Sequence, residues 1–156
     1  MTDDPGALAE ELVAARADFM ASLDAIGPAR QSGVGLVGDW SARELVAHLG
    51  YWAGHAVEVI HAVESGRADE VGAGEPSVDE VNETVARVAR QADLATAGKR
   101  EAASVQALLE RLATIDPVLL SVPLPDGATL AEGIREDSSE HYREHTADLR
   151  AAVDDR

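Results

Sequence analysis

The sequence predicts an all-α domain, an up-down four-helix bundle with long loops and a broken third helix, and three observations predict it. Apolar residues recur three and four positions apart rather than two, the valines included. Helix starts are spelled out as caps at Asp4, Ser41, Ser77 and Thr129. Glycine and proline gather between the periodic stretches, at 27–28, 72–76 and 117–127. At 156 residues and 16.4 kDa, the chain 1–156 is expected to be a single domain with a core of its own.

Asp4 followed by Pro5 reads as an N-cap with proline at the first helical position, and Leu8, Leu12, Ala15, Phe19, Leu23 and Ile26 form the stripe that Gly27-Pro28 ends. The segment Gln31-Ser32-Gly33-Val34-Gly35 has no phosphate-loop lysine and no strand before it, and reads as a flexible connector. Ser41-Ala42-Arg43-Glu44 is a capping box opening a helix of about 25 residues through Leu45, Leu49, Trp52, Ala56, Ile60 and Val63, closed near Gly66. Ser77-Val78-Asp79-Glu80 opens a third helix with Val81, Val85, Val88 and Ala92 inside. Gly98-Lys99 marks a break, after which Ser104 to Ile115 continues that helix or forms another. Pro117, Pro123 and Pro125-Asp126-Gly127 exclude helix from the next ten or so residues. Thr129-Leu130-Ala131-Glu132 opens the last helix, which runs to about Ala152, before a charged tail Asp154-Asp155-Arg156 that is expected to fray. Three of the four main helices exceed about 20 residues, around 30 Å each, and helices of that length joined by loops build a bundle.

Composition narrows the function. No cysteine is present, so disulfides, thiolate metal sites and a cysteine nucleophile are all excluded. Thirteen basic residues against twenty-nine acidic ones leave a net charge of −16, which repels a phosphate backbone and an anionic membrane. Phe19, Trp40, Tyr51, Trp52 and Tyr142 are too few for a base-stacking platform. No apolar run approaches the ~18 residues of a membrane span, and Met1 to Pro5 lacks a signal-peptide pattern, so a cytoplasmic protein that binds neither nucleic acid nor membrane is expected. The alanine-rich outer faces would suit a homodimer.

Helical geometry sorts the five histidines. Projected at about 100° per residue, His48 and His55 fall at the edge of the inward stripe of the second helix, and His61 points to solvent. The last helix places Ser138, His141, His145, Leu149 and Ala152 inward from Ile134, so two imidazoles occupy positions where a bundle normally holds leucine. Unsatisfied buried polar groups cost about 1–3 kcal/mol each, so the pair needs a partner. The i, i+4 spacing of His141 and His145 lets both rings share one ion, and His48 from a facing helix would complete a three-nitrogen set with an open fourth position. A satisfied core pair is the bland alternative.

Two segments carry a family resemblance. Gly38-Asp39-Trp40-Ser41-Ala42-Arg43-Glu44-Leu45-Val46-Ala47-His48-Leu49 resembles the "W-[ST]-x-x-[DE]-[LV]-[LV]-x-H-[LI]" segment of the DinB-like superfamily, which includes mycothiol-dependent maleylpyruvate isomerases and related thiol transferases. His141-Tyr142-Arg143-Glu144-His145-Thr146-Ala147-Asp148-Leu149 is similar to that superfamily's final "H-x-x-x-H-x-x-x-[IL]" helix. The resemblance implies a four-helix bundle that binds one divalent metal ion (Zn, Ni, Fe or Mn) through His48, His141 and His145. It also implies a low-molecular-weight thiol of the mycothiol type as co-substrate, used in S-transfer to an electrophilic small molecule. The single lysine, Lys99, among many alanines and arginines fits a GC-rich source, in which mycothiol is plausible. Metal-dependent hydrolysis of a toxic natural product, and a non-catalytic metal- or small-molecule-binding stress protein, are the alternatives. Trp52, His55 and Tyr142 are expected to line the pocket, with Tyr51 at its rim. Glu144 and Asp148 are candidates to orient imidazole N–H groups. Trp40, just before the cap, reads as a hydrophobic staple rather than a substrate contact.

Overall fold

The computed structural model describes residues 3–154. Met1, Thr2 and the tail residues Asp155 and Arg156 lie outside the described residues. Helix α1 spans Pro5–Ile26, with the Asp4 carboxylate accepting the Ala7 amide as its N-cap, and its stripe Leu8, Leu12, Ala15, Phe19 and Leu23 is buried. The connector expected to be flexible starts inside a short helix, which holds its first residue, Gln31. Pro28–Gln31 forms a short helix, α2, the Gln31 side chain donates to the Leu23 carbonyl at 2.9 Å, and Arg30 donates to that of Ala152 at 2.9 Å.

Helix α3 is Ala42–Glu64, and the Glu44 carboxylate accepts both the amide and the hydroxyl of Ser41. Helix α4, Val78–Ala89, starts at the expected capping box, with reciprocal bonds between Ser77 and Glu80 of 2.9 and 3.2 Å. Its buried side differs from the expected one: Ala86 and Ala89 are buried, whereas Val88 is 48% exposed. Helix α5 runs unbroken over Leu94–Thr114, so no break occurs at Gly98-Lys99. The interruption lies earlier, at Arg90 to Ala92, and Asp93 restarts the helix by accepting the Thr96 amide at 2.8 Å. One glycine costs a helix about 1 kcal/mol against alanine, which the buried row Ala97, Glu101, Val105, Leu108 and Leu112 outweighs.

The proline-rich stretch holds a 3-10 turn at Pro117–Ser121, because proline at a first turn forgoes no bond that would otherwise form. The last helix is two helices, α6 at Leu130–Asp137 and α7 at Ser139–Asp154. Ser138 separates them at φ −131 and ψ −97, with its hydroxyl donating to the Ile134 carbonyl in competition with the backbone ladder.

Contacts between helices give their directions. Glu11 pairs with Arg135 and Phe19 packs on Tyr142, so α1 runs parallel to α6–α7. Gly50 meets Glu101, Gly54 meets Ser104 and Glu64 pairs with Arg111, so α3 runs parallel to α5. His48 meets His141 while His55 meets Asp137, so α3 runs against α6–α7. The alternating up-down order expected from the sequence is therefore replaced by up, down, down, up. The physical reason is α4, which carries the chain back along α3 so that α5 can start at the same end. Among the described residues the domain is all-helical, with isolated bridges Val37–Trp40 and Pro123–Thr129 pinning two loops.

Candidate metal centre

Three imidazoles converge between α3 and α7. Nε2 of His48 lies 2.7 Å from Nε2 of His141, and Nε2 of His145 lies 3.1 Å from that same atom. One ligand atom from each of the three lies within 4.8 Å of the others. The capping box sets the start of α3, and hence the angle at which His48 faces α7, while i, i+4 spacing stacks the other two rings on one face. His48 is 6% exposed and His145 9%. The indole of Trp40 lies 4.8 Å from the His48 ring, centroid to centroid, so this residue covers the site from the loop before α3.

Burial and the neighbouring imidazoles of His141 and His145 push His48 down to about 3, and burial with His145 pushes His141 down to about 4. Both are therefore neutral, with a lone pair on one ring nitrogen. A neutral imidazole carries one proton for two nitrogens, so hydrogen bonding alone satisfies this three-nitrogen cluster poorly. The Nδ1 atom of His48 is buried without a hydrogen-bond partner. On the other edge of His145, Oδ2 of Asp148 lies 2.9 Å from Nδ1, which favours the Nδ1–H tautomer and leaves Nε2 free to ligate. The donor set fits a divalent ion of the Zn, Ni, Fe or Mn class.

The other expected site residues separate. His55 is not part of the cluster: its Nδ1 lies 2.7 Å from Oδ2 of Asp137, and its Nε2 lies 3.8 Å from Glu75. The Asp137 hydrogen bond, outweighing burial, raises its pKa. Trp52 stands edge-on to His55 at 5.0 Å and donates from Nε1 to Oδ1 of Asn82 at 2.9 Å. Tyr142, expected at the pocket, belongs to the core instead, at 0% exposure, where it packs on Phe19 and its hydroxyl donates to Glu101 at 2.5 Å. Glu144 is exposed and forms no hydrogen bond to an imidazole among the described residues, so Asp148 alone of the two carboxylates reaches the cluster. His61 is exposed, as its projection required, and Tyr51 is exposed beside Trp52.

Sequence reasoning passed over Glu101, Asp137 and Asn82. Glu101 is 0% exposed and takes Arg16 in two bonds of 2.6 and 2.8 Å, besides the Tyr142 hydroxyl. Its signal was present, since it sits in the row Ala97, Glu101, Val105, Leu108 and Leu112. Asp137 precedes His141 by one turn, but its partner lies on another helix, a pairing that no local spacing encodes. Among the described residues, no helix is long and apolar enough to cross a membrane.

No family model matches the chain, and no curated protein gives a significant match. Among solved structures, an uncharacterised protein from Escherichia coli UTI89 is similar in fold, with a TM-score of 0.81 at 14% identity, covering 97% of this chain and 93% of that one. At that identity the likeness speaks to the fold alone.

Proposed function

We propose that the chain is a DinB-like four-helix-bundle protein that holds one divalent metal ion through Nε2 of His48, His141 and His145 and acts on a small molecule, with S-transfer from a mycothiol-type thiol as the reaction. The observation that carries this reading is the meeting of three imidazole nitrogens from α3 and α7, two of them neutral by burial. A divalent ion held by neutral imidazoles lowers the pKa of a thiol or water in its remaining position. With no cysteine in the chain, the thiol must be supplied from outside. Asp148 holds the His145 ring in its ligating tautomer, and Trp40 shields His48 from water.

The test is product analysis with an electrophile such as 1-chloro-2,4-dinitrobenzene, with and without mycothiol, on the wild type and on His145→Ala. Thioether formation that requires both the thiol and His145 supports S-transfer. Turnover of a strained-ring substrate without thiol supports hydrolysis instead, and inactivity in both assays with metal bound leaves a binding protein.

A further inference from the structure

A cavity of about 650 Å3 opens between α3, α4 and α5, and none of the three clustered imidazoles lines it. Small residues line it: Ala47 and Gly54 on α3, Val85 and Ala89 on α4, and Ala97 on α5. Space of this size, with mostly apolar walls and a small number of polar groups, Glu58, Thr84 and Ser104 among them, is the usual form of a small-molecule site. Its polar end is made by Tyr51, His55 and Glu75, which also line a second cavity of about 280 Å3 reaching Asp126, Glu136 and Asp137. At this junction His55 is engaged by Asp137 at 2.7 Å and lies 3.8 Å from Glu75, while Asp126 and Glu136 line the same space without a cationic partner among the described residues. Burial, with Asp137, Asp126 and Glu140 nearby, raises the pKa of Glu136. At the opposite end Arg100 lines the larger cavity, and Glu101 there is already neutralised by Arg16.

We propose that the larger cavity binds an amphipathic organic cation, a protonated amine on an aryl or alkyl body, with the body between α3, α4 and α5 and the ammonium at Glu75 beside the Tyr51 ring. An ammonium gains from a carboxylate and an aromatic face together, whereas a carboxylate head would meet like charge. The site stands whether or not the three imidazoles hold an ion.

Isothermal titration with three probes that share one body, 4-phenylbutylammonium, 4-phenylbutanol and 4-phenylbutyrate, tests this. The ammonium is expected to bind about tenfold tighter than the alcohol, and the carboxylate not to bind measurably. Glu75→Gln, an exposed side chain, should bring the ammonium close to the alcohol. Gly54→Leu should abolish binding of both by filling the cavity, and if that chain does not fold, Val85→Phe serves the same purpose. Affinity should be unchanged in metal-stripped protein, so failure of this site and failure of the metal reading are told apart. No binding by any probe, equal binding of ammonium and alcohol, or preference for the carboxylate at Arg100 would each overturn the proposal.

Discussion

The Asp148 carboxylate and the His141 ring lie on opposite edges of His145: Oδ2 of Asp148 is 2.9 Å from Nδ1, and Nε2 of His141 is 3.1 Å from Nε2. Asp148 is therefore placed to tune metal affinity in the proposed site through the ring it orients. Asp148→Asn should weaken binding by about 10- to 100-fold, read by competition with a chromophoric chelator. Glu144→Gln, on the exposed side of the same helix, should leave affinity unchanged. Equal effects of the two substitutions would contradict the orienting role.

The buried network Arg16–Glu101–Tyr142 ties α1, α5 and α7 together. Tyr142→Phe removes one hydrogen bond to a buried carboxylate that Arg16 still satisfies, so a loss of about 1–2 kcal/mol is expected in urea denaturation. Glu101→Ala should cost more, about 3 kcal/mol, because it leaves both the guanidinium and the phenol without their acceptor.

Gly50 and Gly54 face α5 at different distances. A Cβ on Gly50 would sit 2.8 Å from the Glu101 Cα, and backbone cannot step aside, so Gly50→Ala should lower the melting temperature by several degrees. A Cβ on Gly54 meets nothing nearer than the Ser104 Oγ at 3.5 Å. Gly54→Ala should therefore be neutral or stabilise by up to about 1 kcal/mol through helix propensity.

Stability of the metal-free protein should depend on pH in a defined direction. His48 and His141 are held down to about 3 and about 4, against 6.5 for an unperturbed imidazole. Between those values the unfolded chain binds more protons than the folded one, so their contribution is complete above about 6.5 and lost as pH falls through the window. Thermal melts of stripped protein should decline from pH 7 to pH 4.5, and His48→Gln should flatten the decline. A melting temperature indifferent to that substitution at every pH would count against buried neutral imidazoles.

What was legible in the sequence was local. Asp4, Ser77 and Thr129 cap the helices they were expected to open, because caps are satisfied within four residues of themselves. His141 and His145 were legible because helical spacing puts both rings on one face, whereas the same projection placed His48 and His55 alike and the family resemblance singled out His48. Helix directions were not, since the return of the chain through α4 depends on how Ala86 and Ala89 seat against α3, not on any local signal. Tyr142 was misplaced for a related reason: its partner Glu101 lies 41 positions away. The break assigned to Gly98 belonged to Arg90–Ala92, where the cap at Asp93 was the stronger signal.

The most direct test of the central claim is elemental analysis of protein purified without a metal-affinity tag. Wild-type protein is expected to carry close to one divalent transition-metal ion per chain, and a folded His145→Ala variant none. Wild-type protein that neither carries such an ion nor takes one up from Zn, Ni, Fe or Mn solutions would contradict the claim.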